Sequence, residues 1–300
     1  MSNFSEQIKQ RLLEKRPNLS ESSIRSYVST LKNLPQKVTL KYGSGLDISF
    51  YDDDDNLTNV IKYLKNEPSN KSKTVLSALY VITGNDLIRN NMIDGIRDVQ
   101  QTYSTQEKSK SENENWIEWT DILKLHSELQ DEANVIFKQQ SITALEKAKL
   151  NEYVLLSCFV LNEPRRSQDY SLLKIRNFDK DVDNYIDKGD MVFNKYKTAK
   201  QYGQQTITMN PKLKLLINKW SKINKSDHLI VSKTGKMLNV SQITKLLNKI
   251  FGNRNISVNI IRHSYLSHVY KDMPTISDMQ QRATNMGHAF QTAITMYVKK

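Results

Sequence analysis

Apolar side chains recur at helical spacing through the first hundred residues. Ser20 can cap a helix in which four apolar side chains occupy one face. These residues are Ile24, Tyr27, Val28 and Leu31. Pro35 is expected to follow the end of this helix, since proline disrupts a helix interior. Three further helices are predicted: from a cap at Asn56 or Thr58 to Leu64, from about Lys73 to Ile82, and near Leu87 to Val99.

An acidic run, Asp52–Asp55, precedes the predicted helix that ends at Leu64. We interpret it as a solvated turn, because carboxylates are favourable at a helix N-terminus. Calcium binding is the alternative, but the alternating ligand spacing of an EF-hand is absent.

Residues 101–115, QTYSTQEKSKSENEN, form a polar stretch without large aliphatic side chains. This composition is typical of a linker. We therefore divide the chain into a helical domain over 1–105, a linker over 106–115 and a second domain over 116–300.

The second domain is predicted to be mainly α with a small β-hairpin. The strands are Asp190–Tyr196 and Gln205–Met209, separated by a turn over Ala199–Gly203. The predicted helices cover about 119–137, 145–161, 211–223, 240–251, 258–270, 276–285 and 289–297.

Composition places the chain among globular proteins, with 38% hydrophobic and 25% charged residues. The longest apolar run, Val154–Leu161, is far shorter than the roughly 18 residues that a membrane span needs. The polar N-terminus has no apolar core of a secretory signal. Cys158 is the only cysteine, which fits a reducing compartment. We therefore expect an intracellular protein that is not bound to a membrane.

Positive charge is concentrated in the second domain. The net charge of the chain is +12. Residues 1–113 hold 16 basic against 14 acidic side chains, whereas residues 114–300 hold 28 against 18, a net charge of +10. A basic protein of this kind has nucleic acid as its usual partner, although basicity kept for solubility alone is the plain alternative.

The basic half also contains the groups needed to break a phosphodiester without a metal ion. The transition state carries negative charge, which arginine neutralises through a planar fork. A nucleophile must attack, and an acid must protonate the leaving oxygen. The candidates, in chain order, are Arg165, Arg166, Lys195, Lys197, Lys200, Asn259, Arg262, His263, His288 and Tyr297.

This order resembles the tyrosine recombinase (integrase) family. That family carries an arginine after the first helices of its catalytic domain, a lysine in a β-hairpin, a His-x-x-Arg box, a Leu-Gly-His segment and a tyrosine nine residues later. Here Arg262-His263 and Met286-Gly287-His288 are followed by Tyr297 at that spacing. The resemblance covers about 116–300, while the N-terminal helices are loosely similar to the family's core-binding domain. The chain is most similar to divergent members carried by large DNA viruses and eukaryotic mobile elements.

The resemblance implies that Arg166 is the first catalytic arginine. Asp169 then falls where the family has an acidic residue, and Leu173 where it has an aliphatic one. Arg165 is the competing candidate.

For the lysine, the resemblance implies Lys197 as the general acid for the 5′-oxygen. Lys195 and Lys200 are alternatives, and strand alternation sends Lys195 and Lys197 to the same face. Other lysines of this half are expected to position phosphates rather than to take part in catalysis.

The same resemblance makes Arg262 the second arginine, His288 a hydrogen-bond donor to the scissile phosphate, and Tyr297 the nucleophile. The His-x-x-Arg box departs from the family's sequence, because Asn259 stands where the family has histidine. An asparagine amide can donate a hydrogen bond but cannot shuttle a proton. His263 is expected to have a supporting role. Whether Tyr297 acts in its own subunit stays open.

The function that this resemblance implies is site-specific recombination of double-stranded DNA by a homo-oligomer, a tetramer on paired sites. No cofactor or metal is expected, and the spacing of a phosphate-binding loop is missing. One alternative is a type IB topoisomerase, which shares the chemistry. A second is a DNA-binding protein that has lost catalysis, which Asn259 motivates.

The remaining histidines, His126, His228 and His268, are assigned no role, because a lone histidine is more often structural. His263 and His268, with a single distant cysteine, do not form a zinc site.

Overall fold

The computed structural model describes residues 3–39, 46–104, 106–271, 273–285 and 290. They form two compact units, one from the described residues within Met1–Glu107 and Pro274–Lys300, the other from Lys108–Met273. The fold is mainly α with one small sheet, which confirms the predicted fold class.

Five helices and a 3-10 turn build the N-terminal part of the first unit. They are α1 (Phe4–Lys15), α2 (Glu21–Thr39), the 3-10 turn Ile48–Asp52, α3 (Asp54–Leu64), α4 (Ser69–Thr83) and α5 (Asp86–Ser104). The prediction missed α1, which buries only Ile8 and Leu12. The other four helices were predicted, but each is longer at one end or both. Residues from α1 to α5 share one apolar core, so this unit buries its own hydrophobic surface.

Pro35 lies inside α2 and not after its end, so that prediction was wrong. A proline cannot donate the hydrogen bond that the carbonyl four residues earlier needs, here that of Leu31. The buried hydroxyl of Tyr51 donates to the Leu31 carbonyl oxygen instead. A contact from outside the helix therefore supplies the donor that Pro35 lacks.

The acidic run begins α3, as its position predicted. Asp53 is the N-cap, and its carboxylate accepts a 2.8 Å hydrogen bond from the backbone N–H of Asn56. Asp54 and Asp55 lie in the first turn, where the partial positive charge of the helix end favours them. The expected caps, Asn56 and Thr58, were wrong because the helix begins earlier.

The helices of the second unit surround its own apolar core. They are α6 (Lys110–Asn115), α7 (Trp119–Ile136), α8 (Ala144–Val160), α9 (Ser167–Ser171), α10 (Ala199–Tyr202), α11 (Pro211–Ile223), α12 (Val240–Ile250) and α13 (Val258–Val269). The last described helix, α14 (Ile276–Asn285), belongs to the first unit. The helix predicted over 289–297 lies outside the described residues, apart from residue 290.

Part of the stretch interpreted as a linker is helical. Ser109 and Glu112 form a capping box at the start of α6, in which the Ser109 backbone N–H donates to the Glu112 carboxylate at 2.8 Å. The Ser-x-x-Glu spacing was readable from the sequence. The linker composition concealed it, because α6 buries no side chain.

A four-stranded sheet lies in the second unit. Its strands are β1 (Leu173–Lys174), β2 (Asn184–Asp187), β3 (Asp190–Phe193) and β4 (Gln205–Thr208), in that order across the sheet. The β1–β2 pair is parallel and the other two pairs are antiparallel. The β3–β4 pair is the predicted hairpin. The two-residue β1 is too short to give a periodic signal, and β2 lies among Asp, Asn and Lys residues typical of a loop.

Asn184 explains why β3 ends at Phe193 and not at Tyr196. Its buried side-chain oxygen accepts hydrogen bonds from the backbone N–H groups of Asn194, at 2.9 Å, and Lys195, at 2.7 Å. The chain turns away from the sheet there. Strand alternation therefore does not place Lys195 and Lys197 on one face, and a short helix, α10, replaces the predicted turn.

Candidate active site

The side chain of Arg165 is largely buried and is hydrogen-bonded to other residues of this unit. Its Nε donates to Oδ2 of Asp169 at 2.8 Å, and one terminal nitrogen donates to Gln205 at 2.9 Å. The guanidinium carbon lies 4.0 Å from the ring centre of Phe193. Only 15% of the Arg165 side chain is exposed. Two of its three guanidinium nitrogens thus fasten the loop after α8 to α9 and β4.

Asp169 is the buried anion of this cluster. Burial raises the pKa of its carboxyl group, and the positive charges of Arg165 and then Arg166 oppose that shift. Its Oδ1 has no hydrogen-bond partner among the described residues. The carboxylate offsets part of the positive charge that the neighbouring arginines concentrate in a poorly solvated place.

Arg166 differs from its neighbour. It is the N-cap residue of α9, and its carbonyl oxygen accepts the Asp169 backbone N–H at 3.0 Å. Its half-buried side chain makes no ion pair with any residue that the structure describes. Of the two adjacent arginines, Arg166 is the one left available to an external anion.

The helix α13 brings the second arginine to the same place. Nε of Arg262 donates to the carbonyl oxygen of Pro164 at 3.2 Å, across 98 residues of sequence. Partial burial lowers the pKa of Arg262, and the nearby charge of Arg166 lowers it further. This mutual repulsion is typical of cationic groups gathered to receive a polyanion.

Asn259 lies one turn before Arg262, so the two side chains share a face of α13. It is exposed, and no hydrogen bond of its amide is found within the described ranges. Ser257 caps the helix instead, through the backbone N–H of Ile260 at 3.3 Å. Asn259 is therefore not needed for capping and is free to donate to a ligand.

His263 turns toward α6. Its Nδ1 lies 2.8 Å from a carboxylate oxygen of Glu112, and half of its side chain is exposed. The ring thus joins α13 to α6. This structural contact is an alternative to the supporting role at the phosphate that the sequence predicts for His263.

The three candidate lysines are exposed on the segment between β3 and β4. Lys195 Nζ lies 3.6 Å from Asp183. Neither Lys197 nor Lys200 forms an ion pair in the part of the chain described. Tyr196, beside them, donates to the Gly203 carbonyl at 2.7 Å, and its ring centre is 5.2 Å from the Arg165 guanidinium. The base of this segment is thus fixed next to the arginine loop.

The other two candidates, His288 and Tyr297, lie outside the described residues, as do Met286 and Gly287. The structure brings together Arg165, Arg166 and Arg262. Sequence reasoning missed the residues that hold this group, Gln205, Phe193 and Asn184, because no periodicity or motif marks them.

Within the described ranges, no group of three or more His, Cys, Asp or Glu side chains could hold a metal ion. None of the helices described there is both long and apolar enough to cross a membrane.

The fold is that of the tyrosine recombinases. The crystal structure of a lambda integrase (75–356) dimer bound to a COC′ core site is similar to this chain with a TM-score of 0.50 and 13% identity, covering 96% of this chain and 92% of that one. A second structure, a lambda integrase dimer bound to a COC′ core site, gives a TM-score of 0.50 and 12% identity, with 99% and 78% covered. No protein-family model and no curated protein matches the sequence.

Proposed function

We propose that this protein is a site-specific DNA recombinase that cuts and rejoins double-stranded DNA through a 3′-phosphotyrosyl bond at Tyr297. The observation that carries the proposal is the contact between Arg262 and the carbonyl of Pro164, because it brings α13 beside the loop that carries Arg166. Two arginines that are far apart in the sequence thereby lie close together, in a chain that has the fold of an integrase.

Each group has a part in the proposed transesterification. The oxygen of Tyr297 attacks the phosphorus, and the bond from phosphorus to the 5′-oxygen breaks. Arg166 and Arg262 neutralise the charge that develops on the non-bridging oxygens. Lys197 gives a proton to the departing 5′-oxygen. Asn259 and His288 donate hydrogen bonds to the phosphate. Asn259 cannot accept the proton of Tyr297, so that proton passes to solvent water as the oxygen–phosphorus bond forms.

The proposed partner is duplex DNA, held by a homo-oligomer that assembles as a tetramer on paired sites. The net charge of +10 on residues 114–300 supports it, and the lambda integrase structures are dimers on a core site. The proposal includes the domains predicted above: a DNA-clamping domain over 1–105, a linker over 106–115 and a catalytic domain over 116–300. It also includes an intracellular location wherever the target DNA lies. Binding should weaken steeply with salt, since phosphate contacts release counterions.

A second candidate is a DNA-binding protein with weakened or lost catalysis. The exposed Asn259, one turn from Arg262, favours it, since no proton acceptor stands at that position. A type IB topoisomerase shares the proposed chemistry, and relaxation of supercoils without a defined site would distinguish it.

Covalent trapping tests the proposal. The protein is incubated with a nicked duplex library, denatured, and examined for a protein–DNA adduct. The Tyr297→Phe variant should form none, whereas Tyr202→Phe, which alters an exposed tyrosine, should behave as the unchanged protein. Firm DNA binding without any adduct would favour the binding protein instead.

A 5′-bridging phosphorothiolate tests the lysine separately. A thiolate leaves without help from an acid, because a thiol has a far lower pKa than an alcohol. The Lys197→Ala variant should therefore cleave the sulfur-bridged duplex nearly as fast as the unchanged protein, but the ordinary duplex slowly. If only Lys195→Ala or Lys200→Ala shows this rescue, the assignment moves to that residue.

A further inference from the structure

A second basic site lies in the same unit as the arginines. It is a groove of about 880 Å³ between the N-terminal half of α8, the end of α11, the loop after it and α12. That volume is in the range of ordinary ligand sites. The helix from Ala148, which lines the groove, to Val160, which precedes the arginine loop, spans about 18 Å. The groove is therefore separate from the proposed active site.

The floor of the groove is apolar. Its apolar lining includes Ile142, Ala148, Val231, Leu238 and Leu246. Two buried asparagines also line it, but their amides serve the fold. The Asn151 side chain binds both backbone groups of Val231, at 3.0 and 3.1 Å, and Asn224 donates to His228 at 2.8 Å. Their polar groups are thus satisfied, and the groove exists before any ligand arrives.

The rim of the groove is positive. Five lysines line it: Lys147, Lys225, Lys233, Lys245 and Lys249. The only carboxylate among the lining residues is Glu152, which is paired with Lys249. The other four lysines make no ion pair with any described residue. The rim therefore presents four cationic side chains to a negatively charged partner.

The geometry points to an acidic peptide segment of a partner protein, with apolar side chains on the floor and carboxylates at the rim. Its acidic groups complement the four unpaired lysines, and its apolar groups lose water against Leu246 and its neighbours. Duplex DNA fits less well, because its phosphates lie on a rigid convex surface that cannot reach a concave apolar floor. This site is independent of strand cleavage.

Fluorescence anisotropy of the full chain tests the inference. The probe is a short fluorescein-labelled peptide in which glutamates alternate with leucines, and the reference probe replaces the leucines with serines. The leucine peptide should bind at least about tenfold more tightly than the serine peptide. Equal binding of both would overturn the inference, because only non-specific charge attraction would remain.

Matched charge reversals locate the site. The pair Lys147→Glu and Lys245→Glu should weaken binding of the leucine peptide about tenfold or more. The control pair, Lys124→Glu and Lys138→Glu, makes the same change in net charge at exposed positions on α7 and just after its end. This pair should weaken binding of the leucine peptide less than about threefold. Thermal unfolding of each variant verifies that it is folded.

Competition separates a peptide from DNA. A duplex without a recombination site should not displace the bound leucine peptide at concentrations that saturate the protein with DNA. If the duplex displaces it, or if the groove pair weakens duplex binding tenfold more than the control pair does, the lysines form a phosphate surface and the inference fails.

Discussion

Nε of Arg165 lies 2.8 Å from Oδ2 of Asp169, four residues later, and both side chains are largely buried. The pair fixes the loop that also carries Arg166. Adjacent residues of one type thus have different surroundings: Arg165 is enclosed by Asp169, Gln205 and Phe193, whereas Arg166 has no ion-pair partner among the described residues.

Exchanging each arginine for methionine should separate stability from activity. Removing one member of a buried ion pair costs about 3 kcal/mol or more, so Arg165→Met should lower the free energy of unfolding by about that much. Arg166→Met should change it by less than about 1 kcal/mol yet abolish the covalent adduct. Urea unfolding and covalent trapping measure the two effects. A destabilised Arg166→Met beside a stable, inactive Arg165→Met would reverse the assignment.

The hydrogen bond from Tyr51 to the Leu31 carbonyl should compensate for Pro35. Tyr51→Phe leaves a buried carbonyl without a donor, which costs about 1–3 kcal/mol. In a Pro35→Ala background the alanine N–H can serve that carbonyl, so the same change should cost less than about 1 kcal/mol. Urea unfolding of the four proteins gives the coupling. Equal costs in both backgrounds would show that the two residues act independently.

Stability should fall in mild acid because of His126. This buried ring contacts the Ser157 hydroxyl at 2.9 Å, and burial lowers its pKa from 6.5 to about 4. The unfolded chain therefore binds a proton that the folded protein excludes. Stability is complete above about pH 6.5 and is lost as the pH falls toward 4, by on the order of 3 kcal/mol.

Unfolding measured across this pH range checks the effect of His126. His126→Phe should remove that part of the pH dependence, whereas His268→Gln, at an exposed position, should retain it. An unchanged slope in His126→Phe would assign the acid sensitivity to another group.

Asn259 should contribute to strand cleavage as a hydrogen-bond donor. A hydrogen bond to a charged group contributes about 1.5–3 kcal/mol, so Asn259→Ala should slow adduct formation by roughly 10- to 100-fold. Asn259→His should cleave at least as fast as the unchanged protein, since imidazole can donate and can also accept the tyrosine proton. Asn255→Ala, on the exposed loop before α13, is the control. Equal rates for all the variants would remove Asn259 from the site.

Most long elements of the fold could be predicted from the sequence. Apolar side chains located α7, α8, α11, α12 and α13 to within a residue or two. The helix α8 is buried all round over Leu150–Phe159, and each of the others buries one face in the core. The strand β1 was missed because two residues cannot display a period, and β2 because Asp, Asn and Lys, which are common in turns, surround it. The end of α2 was misplaced because Tyr51, distant in sequence, supplies what Pro35 removes.

The sequence by itself determined the order of the candidate groups, the concentration of positive charge after residue 113 and the class of chemistry that they suit. Only the tertiary structure decided which of two identical neighbours is enclosed, because the partners of Arg165 come from α9, β3 and β4. It also decided that Asn184 turns the chain before Lys195, and that Arg262 reaches the carbonyl of Pro164. Local spacing fixes helices through contacts a few residues apart, whereas a side chain's partners depend on which distant segments the core brings beside it.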